Sequence, residues 1–201
     1  MRIIECKQGT PEWFKARAGV PSASNFDMII TTKGNPSKSA EKYLYKLAGE
    51  RVSGLIEESY TNGAMERGKI LEDEARQLYQ IITDTEVKQT GFCLVDGDWF
   101  GCSPDGLVGD DGLIEIKCPN MATHVGYLVY GKLPTDYFQQ VQGQLLVTGR
   151  KWCDFMSYYP AIKPFIIRVE RDEDFLFSLN AELKEFCKKL EEVIQKIGGG
   201  K

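Results

Sequence analysis

The chain has 201 residues, with 42% hydrophobic, 11% aromatic and 27% charged side chains, and 25 basic against 29 acidic residues leave a net charge of −4. This composition excludes a disordered chain, because enough apolar surface is available to offset chain entropy. No run approaches the roughly 18 apolar residues of a membrane span, and the charge excludes a wholly basic nucleic-acid coat without excluding a local basic patch.

The stretch from Met1 to Lys7 carries no apolar core of a secretory signal. The length fits one domain over residues 1–201, with a helical part at about 10–82, a sheet and site core at about 86–170 and a closing helix at about 172–197. In chain order, Thr10-Pro11-Glu12 reads as a helix start that runs through Trp13, Phe14 and Arg17 to Gly19. Ser22 is expected to cap a helix from Ala23 to about Ile30, and residues 31–38 form a loop. From Ser39 to about Ile56, Tyr43, Leu44, Leu47, Val52 and Leu55 approximate helical spacing. Over 62–82, Met65, Leu71, Ala75, Leu78 and Ile82 form an apolar stripe, with acidic residues and Arg76 elsewhere.

The texture then changes to short segments separated by Asp/Gly turns: 86–95, 99–102, 106–108 and 113–118, a strand meander. Helices at roughly 121–131 and 137–148, strands at 152–159 and 165–170, and a helix from Asp172 complete the chain. In that last helix Leu179, Leu183, Phe186, Leu190, Val193 and Ile197 recur at three- and four-residue steps. The order predicts an α+β, mixed α/β fold with a central mixed sheet flanked by helices. The six cysteines are scattered, without a C-x-x-C pair and with His124 as the one imidazole, which argues against zinc or an iron–sulfur cluster and for small buried hydrophobes in a reducing cytosol. His124 reads as a surface or helix-terminal residue, Trp99 as core, and Trp13 with Arg17, four residues on, as one face.

The chemistry concentrates in Cys102-Ser-Pro-Asp-Gly-Leu107 and Leu113-Ile-Glu-Ile-Lys-Cys-Pro119. Alternation on a strand puts Leu113, Glu115 and Lys117 on one face and Ile114, Ile116 and Cys118 on the other. A hairpin around Asp110-Asp111-Gly112 can bring Asp105 beside Glu115. Two carboxylates about 4 Å apart repel by about 4 kcal/mol at an effective dielectric near 20, so they need a shared proton or a cation. Hard oxygen ligands suit Mg²⁺ or Mn²⁺, and a neighbouring lysine can hold water or stabilise charge on phosphorus. Plainer readings stand beside this one: Glu-x-Lys also fits a solvated strand face, and Ser-Pro-Asp-Gly also fits a type I turn. An EF-hand does not fit, because Leu107 and Gly109 occupy its third and fifth positions.

With Trp13-Phe-Lys-Ala-Arg17-Ala-Gly19, Ser22-Ala-Ser24, Gly68-Lys-Ile-Leu-Glu72 and Gln140-Val-Gln142, these motifs closely resemble the phage lambda exonuclease group, the YqaJ-type viral recombinases, over about residues 10–197. The resemblance implies a restriction-endonuclease-like core that degrades the 5′-ended strand of duplex DNA with Mg²⁺, leaving a 3′ single strand. It implies Glu72, Asp105, Glu115 and the Ile116 carbonyl as metal ligands and Lys117 as the catalytic lysine. Arg17, Ser24, Ser103 and Gln140 match positions that hold the 5′-phosphate. Without the resemblance, Arg17 is a solvated helix residue, Ser24 a first-turn residue and Gln140 a surface amide. Asp96 or Asp98 could match a further family acid, and Lys33 and Lys38 could contact phosphate. A homotrimeric ring, a single-strand annealing partner and a phage or prophage protein in the host cytoplasm are also implied. A structure-specific or restriction-type endonuclease and a non-catalytic DNA-end-binding module remain the alternatives.

Overall fold

A computed structural model describes residues 1–56, 63–97 and 99–198 and, of residues 63–66 and 69, the backbone alone. Strand β1 (Arg2–Ile4) precedes helix α1 (Pro11–Arg17), where the Thr10 hydroxyl accepts from the Trp13 N–H and proline occupies the first turn. A 3-10 turn (Ala23–Met28) leads to α2 (Ala40–Ser53), which ends on left-handed Gly54, and to α3 (Gly63–Thr83). The meander comprises β2 (Val87–Lys88), β3 (Phe92–Leu94), β4 (Gly101–Cys102), β5 (Gly106–Val108) and β6 (Gly112–Lys117). Helix α4 (Met121–Tyr130), capped by the Asn120 side chain, and α5 (Phe138–Thr148) follow. Strands β7 (Trp152–Ser157) and β8 (Phe165–Glu170) come next, and α6 (Glu173–Lys196), capped by Asp172, closes the fold.

The strands form two sheets, of order β1-β3-β4 and β2-β5-β6-β7-β8. The larger is mixed: β6 and β7 run parallel, and its other pairs are antiparallel. Alternation along β6 decides which layer each side chain joins. Ile114 and Ile116 pack with Ala75 and Tyr79 of α3 and with Met156, whereas Leu113 packs with Val141 and Leu145 of α5 and with Phe155. The five-stranded sheet therefore lies between α3 on one face and α4 and α5 on the other. A third cluster joins the 3-10 turn, α2, α6 and the small sheet through Phe26, Leu47, Phe100, Leu179 and Leu183. Helix α5 crosses between these regions, because it packs on the 3-10 turn, β3, β4, β7 and α6. The contact is close at Gly143, where an added Cβ would come 2.4 Å from the Phe26 ring.

The α+β architecture agrees with expectation, while several local readings change. Ala23–Met28 is a 3-10 turn with a non-helical Asn25, and Ser22 makes no side-chain cap bond there. Its hydroxyl is instead taken up by Arg17 and Ser24. Segment 86–95 divides into β2 and β3, which belong to different sheets, and the 99–102 strand shortens to Gly101–Cys102. Trp99 is not core: it stands 46% exposed ahead of that strand. Val52, Leu55, Ile82 and Ile197 are also exposed, since the ends of their apolar stripes run past the core. His124 is fully buried rather than superficial. Its Nδ1 lies 2.8 Å from the Ser157 hydroxyl and its Nε2 lies 3.1 Å from the Lys163 carbonyl, so both ring nitrogens find partners inside. Met65 in the α3 stripe falls outside the described side chains. Cys93, Cys102, Cys153 and Cys187 are buried, and Cys6 and Cys118 are half-buried.

Candidate active site

The register of β5 on β6 pairs Gly106 with Ile114 and Leu107 with Leu113. Asp105 therefore stands at the mouth of the hairpin, level with Glu115, and its Oδ2 accepts the Ile116 N–H at 2.6 Å. A residue of an antiparallel strand directs its N–H and C=O to the same side, so the Ile116 carbonyl faces the gap that opens where β5 ends. Burial, followed by the charges of Glu115 and Glu72, pushes the Asp105 carboxyl well above its usual range. Lys117 and the Ile116 N–H oppose that shift.

Glu115 is 2% exposed, which removes the solvated-face reading of Glu-x-Lys. Its Oε1 accepts from Gln140 Nε2 at 2.6 Å and lies 2.6 Å from Lys117 Nζ. Its Oε2 accepts from Gln144 Nε2 at 2.6 Å. Burial acts to lower the Lys117 ammonium, but the Glu115 and Asp105 carboxylates outweigh it and hold the amine above its ordinary value. Lys117 is therefore a standing cation, suited to orient water or meet developing negative charge.

The third acid, Glu72, reaches the site from α3. Burial raises its carboxyl, Arg76 lowers it, and Glu115 raises it further. Arg76 joins α3 to the acidic strand end: it pairs with Glu72 and Asp73 and donates from Nε to the Asp105 carbonyl at 3.3 Å. Two and a half turns earlier, Arg67 donates to the Cys118 and Pro119 carbonyls and lies 5.1 Å from the Tyr159 ring centroid. Among the described residues, no group of three or more His, Cys, Asp or Glu side chains stands ready to hold a metal ion.

A second cluster is neutral and cationic. The Arg17 guanidinium lies 4.1 Å over the Trp13 ring and donates to the Ser22 and Ser24 hydroxyls at 3.0 and 3.1 Å. The Trp13 indole N–H donates to the Ser103 hydroxyl at 2.9 Å. Burial lowers the Arg17 pKa, and among the described residues no carboxylate pairs with it. A half-buried guanidinium facing hydroxyls is a site for an anion with several oxygens. Segment 103–106 forms no hydrogen-bonded turn. Gln8 instead holds it, donating to the Pro104 carbonyl at 2.9 Å.

Of the residues singled out from sequence, Asp105, Glu115, Ile116 and Lys117 meet at the end of β6, with Glu72 close enough to act on their charges. Arg17 and Ser103 meet at Trp13, and Ser24 joins them through Arg17. Gln140 joins the first group, through Glu115, rather than the second. Asp96 is exposed and pairs with the N-terminus at 2.7 Å, and Asp98 lies outside the described residues. Lys33 and Lys38 are exposed on their loop. Sequence reasoning missed Gln144, Arg67 and Gln8, and read Ser22, a partner of Arg17, as a helix cap. Gln144 had a legible signal, since it lies one helical turn beyond Gln140 on the same face of α5.

Known proteins share this arrangement of chain. Two structures of the alkaline exonuclease LHK-Exo from Laribacter hongkongensis, one of them in complex with dAMP, align at TM-score 0.86 and 39% identity, covering 94% of this chain and 96% of that one. A phage related exonuclease from Haemophilus somnus 129PT aligns at TM-score 0.70 and 14% identity, over 89% of this chain and 96% of that one, and so shares the fold. No curated protein sequence matches. Residues 12–151 match the YqaJ-like viral recombinase domain, a span that holds both clusters around Arg17 and Glu115, and the chain belongs to that family.

Proposed function

We propose that this protein is a metal-dependent exonuclease that degrades the 5′-ended strand of duplex DNA and leaves a 3′ single strand for annealing. The observation that carries this reading is the adjacency of an anion pocket and an acidic site. Ser103 of the pocket and Asp105 of the site are two residues apart in sequence, so their Cα atoms lie within about 7 Å. A terminal phosphate held by Arg17, Ser24 and Ser103 would leave the next phosphodiester near Asp105, Glu115 and Lys117, where Gln140 holds Glu115. An enzyme that reads an end in this way cuts stepwise from that end.

The donor set fits Mg²⁺, or Mn²⁺ in its place: acid oxygens that still raise one another despite Lys117 and Arg76, and a strand carbonyl at an open edge. Magnesium takes few carboxylates and keeps several waters, so the lack of a preformed cage is compatible with it. Asp105, Glu115 and the Ile116 carbonyl would hold the ion, with Glu72 completing the acidic wall. When bound, the ion supplies charge neutralisation and a more acidic water. Lys117, a cation beside Glu115, would orient that water and meet charge on the phosphoryl oxygens.

Partners extend the same reading. The chain would act on 5′-phosphorylated duplex ends as a homotrimeric ring, in which a modest Lys/Arg lining repeated three times offsets the net acidity. It would work with a single-strand annealing protein in the cytoplasm of a bacterial host, encoded by a phage or prophage. Among the described residues, no helix is long and apolar enough to cross a membrane.

Linear duplex with a 5′-phosphate, incubated with and without Mg²⁺, gives the test. Mononucleotides should appear from the 5′ end only with metal, and covalently closed circles should stay whole. Release from 3′ ends, cutting of circles or metal-independent turnover would overturn the reading. Arg17→Lys should weaken the preference for 5′-phosphorylated over 5′-hydroxyl ends by about 10- to 100-fold, the worth of one charge-assisted hydrogen bond. Competition between the two ends measures it. A solution mass near three times 22.7 kDa supports the ring.

A further inference from the structure

Glu115 has more partners than a ligand carboxylate needs, and their distribution is uneven. A carboxylate offers about four lone-pair directions, two on each oxygen. Gln140 Nε2 and the Lys117 ammonium occupy both directions of Oε1, each at 2.6 Å. Gln144 Nε2 occupies one direction of Oε2, also at 2.6 Å. One direction of Oε2 is left without a donor among the described residues.

Gln144 differs from Gln140 in its surroundings. It is 1% exposed, on the buried face of α5. Its own carbonyl oxygen, Oε1, is buried with no hydrogen-bond partner among the described residues. A buried amide with an orphaned oxygen costs stability. Turning the amide over would not remove that cost, since it would press Oε1 against the Glu115 carboxylate. The amide is therefore oriented by Glu115 alone, and the fold tolerates the orphan to keep that donor in place.

We propose that Gln144 is a positioning residue for Glu115, filling one lone pair of Oε2 so that the carboxylate presents a single oxygen direction to a divalent cation. This rests on the metal reading of the site. Glu115 then binds one-handed through Oε2, while Oε1 stays committed to Lys117 and Gln140. Without Gln144 the carboxylate can rotate about its last bond and lose that aim.

Mn²⁺ binding to the DNA-free protein, measured by titration calorimetry or by loss of the free-ion electron spin resonance signal, tests the assignment without relying on turnover. Gln144→Leu removes the donor and the orphaned oxygen together, and Gln144→Met does so with an unbranched side chain should the leucine variant fail to fold. Removing the outer partner of a metal ligand typically weakens the metal by 10- to 100-fold, and that loss is expected in both variants. A folded variant whose Mn²⁺ affinity stays within about twofold of the original protein overturns the role of Gln144. Asp105→Asn separates the two ideas. If Mn²⁺ binding survives that change undiminished, the ion is not in this site, and the metal reading falls together with the present one. If it is lost there but kept in Gln144→Met, only the present assignment fails.

Discussion

Asp105 faces two opposite demands, one from its backbone partner and one from its neighbours. Its carboxyl accepts the Ile116 N–H, yet it lies half-buried beside Glu115 and under the influence of Glu72. An asparagine keeps the accepting oxygen and removes the repelling charge. Asp105→Asn should therefore stabilise the metal-free protein by about 1 kcal/mol, allowing for the partial exposure of the site, raising Tm by about 2–4 °C in chelator, while abolishing cleavage. A carboxyl raised in the folded state contributes stability that is present below its ordinary range and lost as pH rises through its folded value. The metal-free protein should accordingly gain stability on mild acidification, and Asp105→Asn should flatten that response in thermal melts at several pH values. Lys117→Ala should abolish turnover while leaving binding to DNA ends in place, as a gel shift in chelator can show. At this scale the sequence was legible where residues are close in the chain. Asp105, Glu115 and Lys117 are joined by one hairpin whose alternation is readable. Arg67 reaches the site across the fold, and nothing local announces what it touches, while Gln144 is marked only by its spacing from Gln140.

Helix α3 brings Glu72 to the strand ends, and two arginines fix where it sits. Arg67 grips the Cys118 and Pro119 carbonyls, and Arg76 grips the Asp105 carbonyl. Arg67→Ala would release the N-terminal end of α3 from the β6–α4 corner. It should reduce kcat more than it reduces stability, with a fall of about tenfold in steady-state assays, since small misplacements of a catalytic group are costly. On the opposite face, Gly143 lets α5 approach the 3-10 turn. Gly143→Ala gains about 1 kcal/mol of helix propensity, but the Phe26 ring must move, and overpacking costs about 1–3 kcal/mol. Urea melts should show net destabilisation. Helix α6 was readable from sequence because its apolar period persists from Phe175 to Ile194. The 3-10 turn was misread because Ser22 resembles a cap by position, whereas its hydroxyl serves Arg17. Strand β1 gave no signal, since its partner β3 lies some ninety residues along the chain.

For the whole molecule, the proposed metal site makes clustered acid a debt without the ion and an asset once a cation is held. Mg²⁺ at about 100 times its Kd should stabilise the fold by about 2.7 kcal/mol, raising Tm by about 5–10 °C. The shift should vanish in Asp105→Asn, which calorimetry can establish. The sequence order foretold a mixed sheet flanked by helices, yet not its division in two, because β2 and β3 are separated by a turn of chain that gives no sign of changing partners. Helix α5 spans that division. It carries Gln140 and Gln144 on the acidic strand and packs against the 3-10 turn and the small sheet. Its full contact surface exists only when both sheets have formed. A chain in which α5 has not docked lacks the two amides that hold Glu115, so its acidic strand end is not yet assembled. Amides of α5 should share the slowest hydrogen exchange of the molecule, and activity on refolding should lag behind the recovery of strand signal.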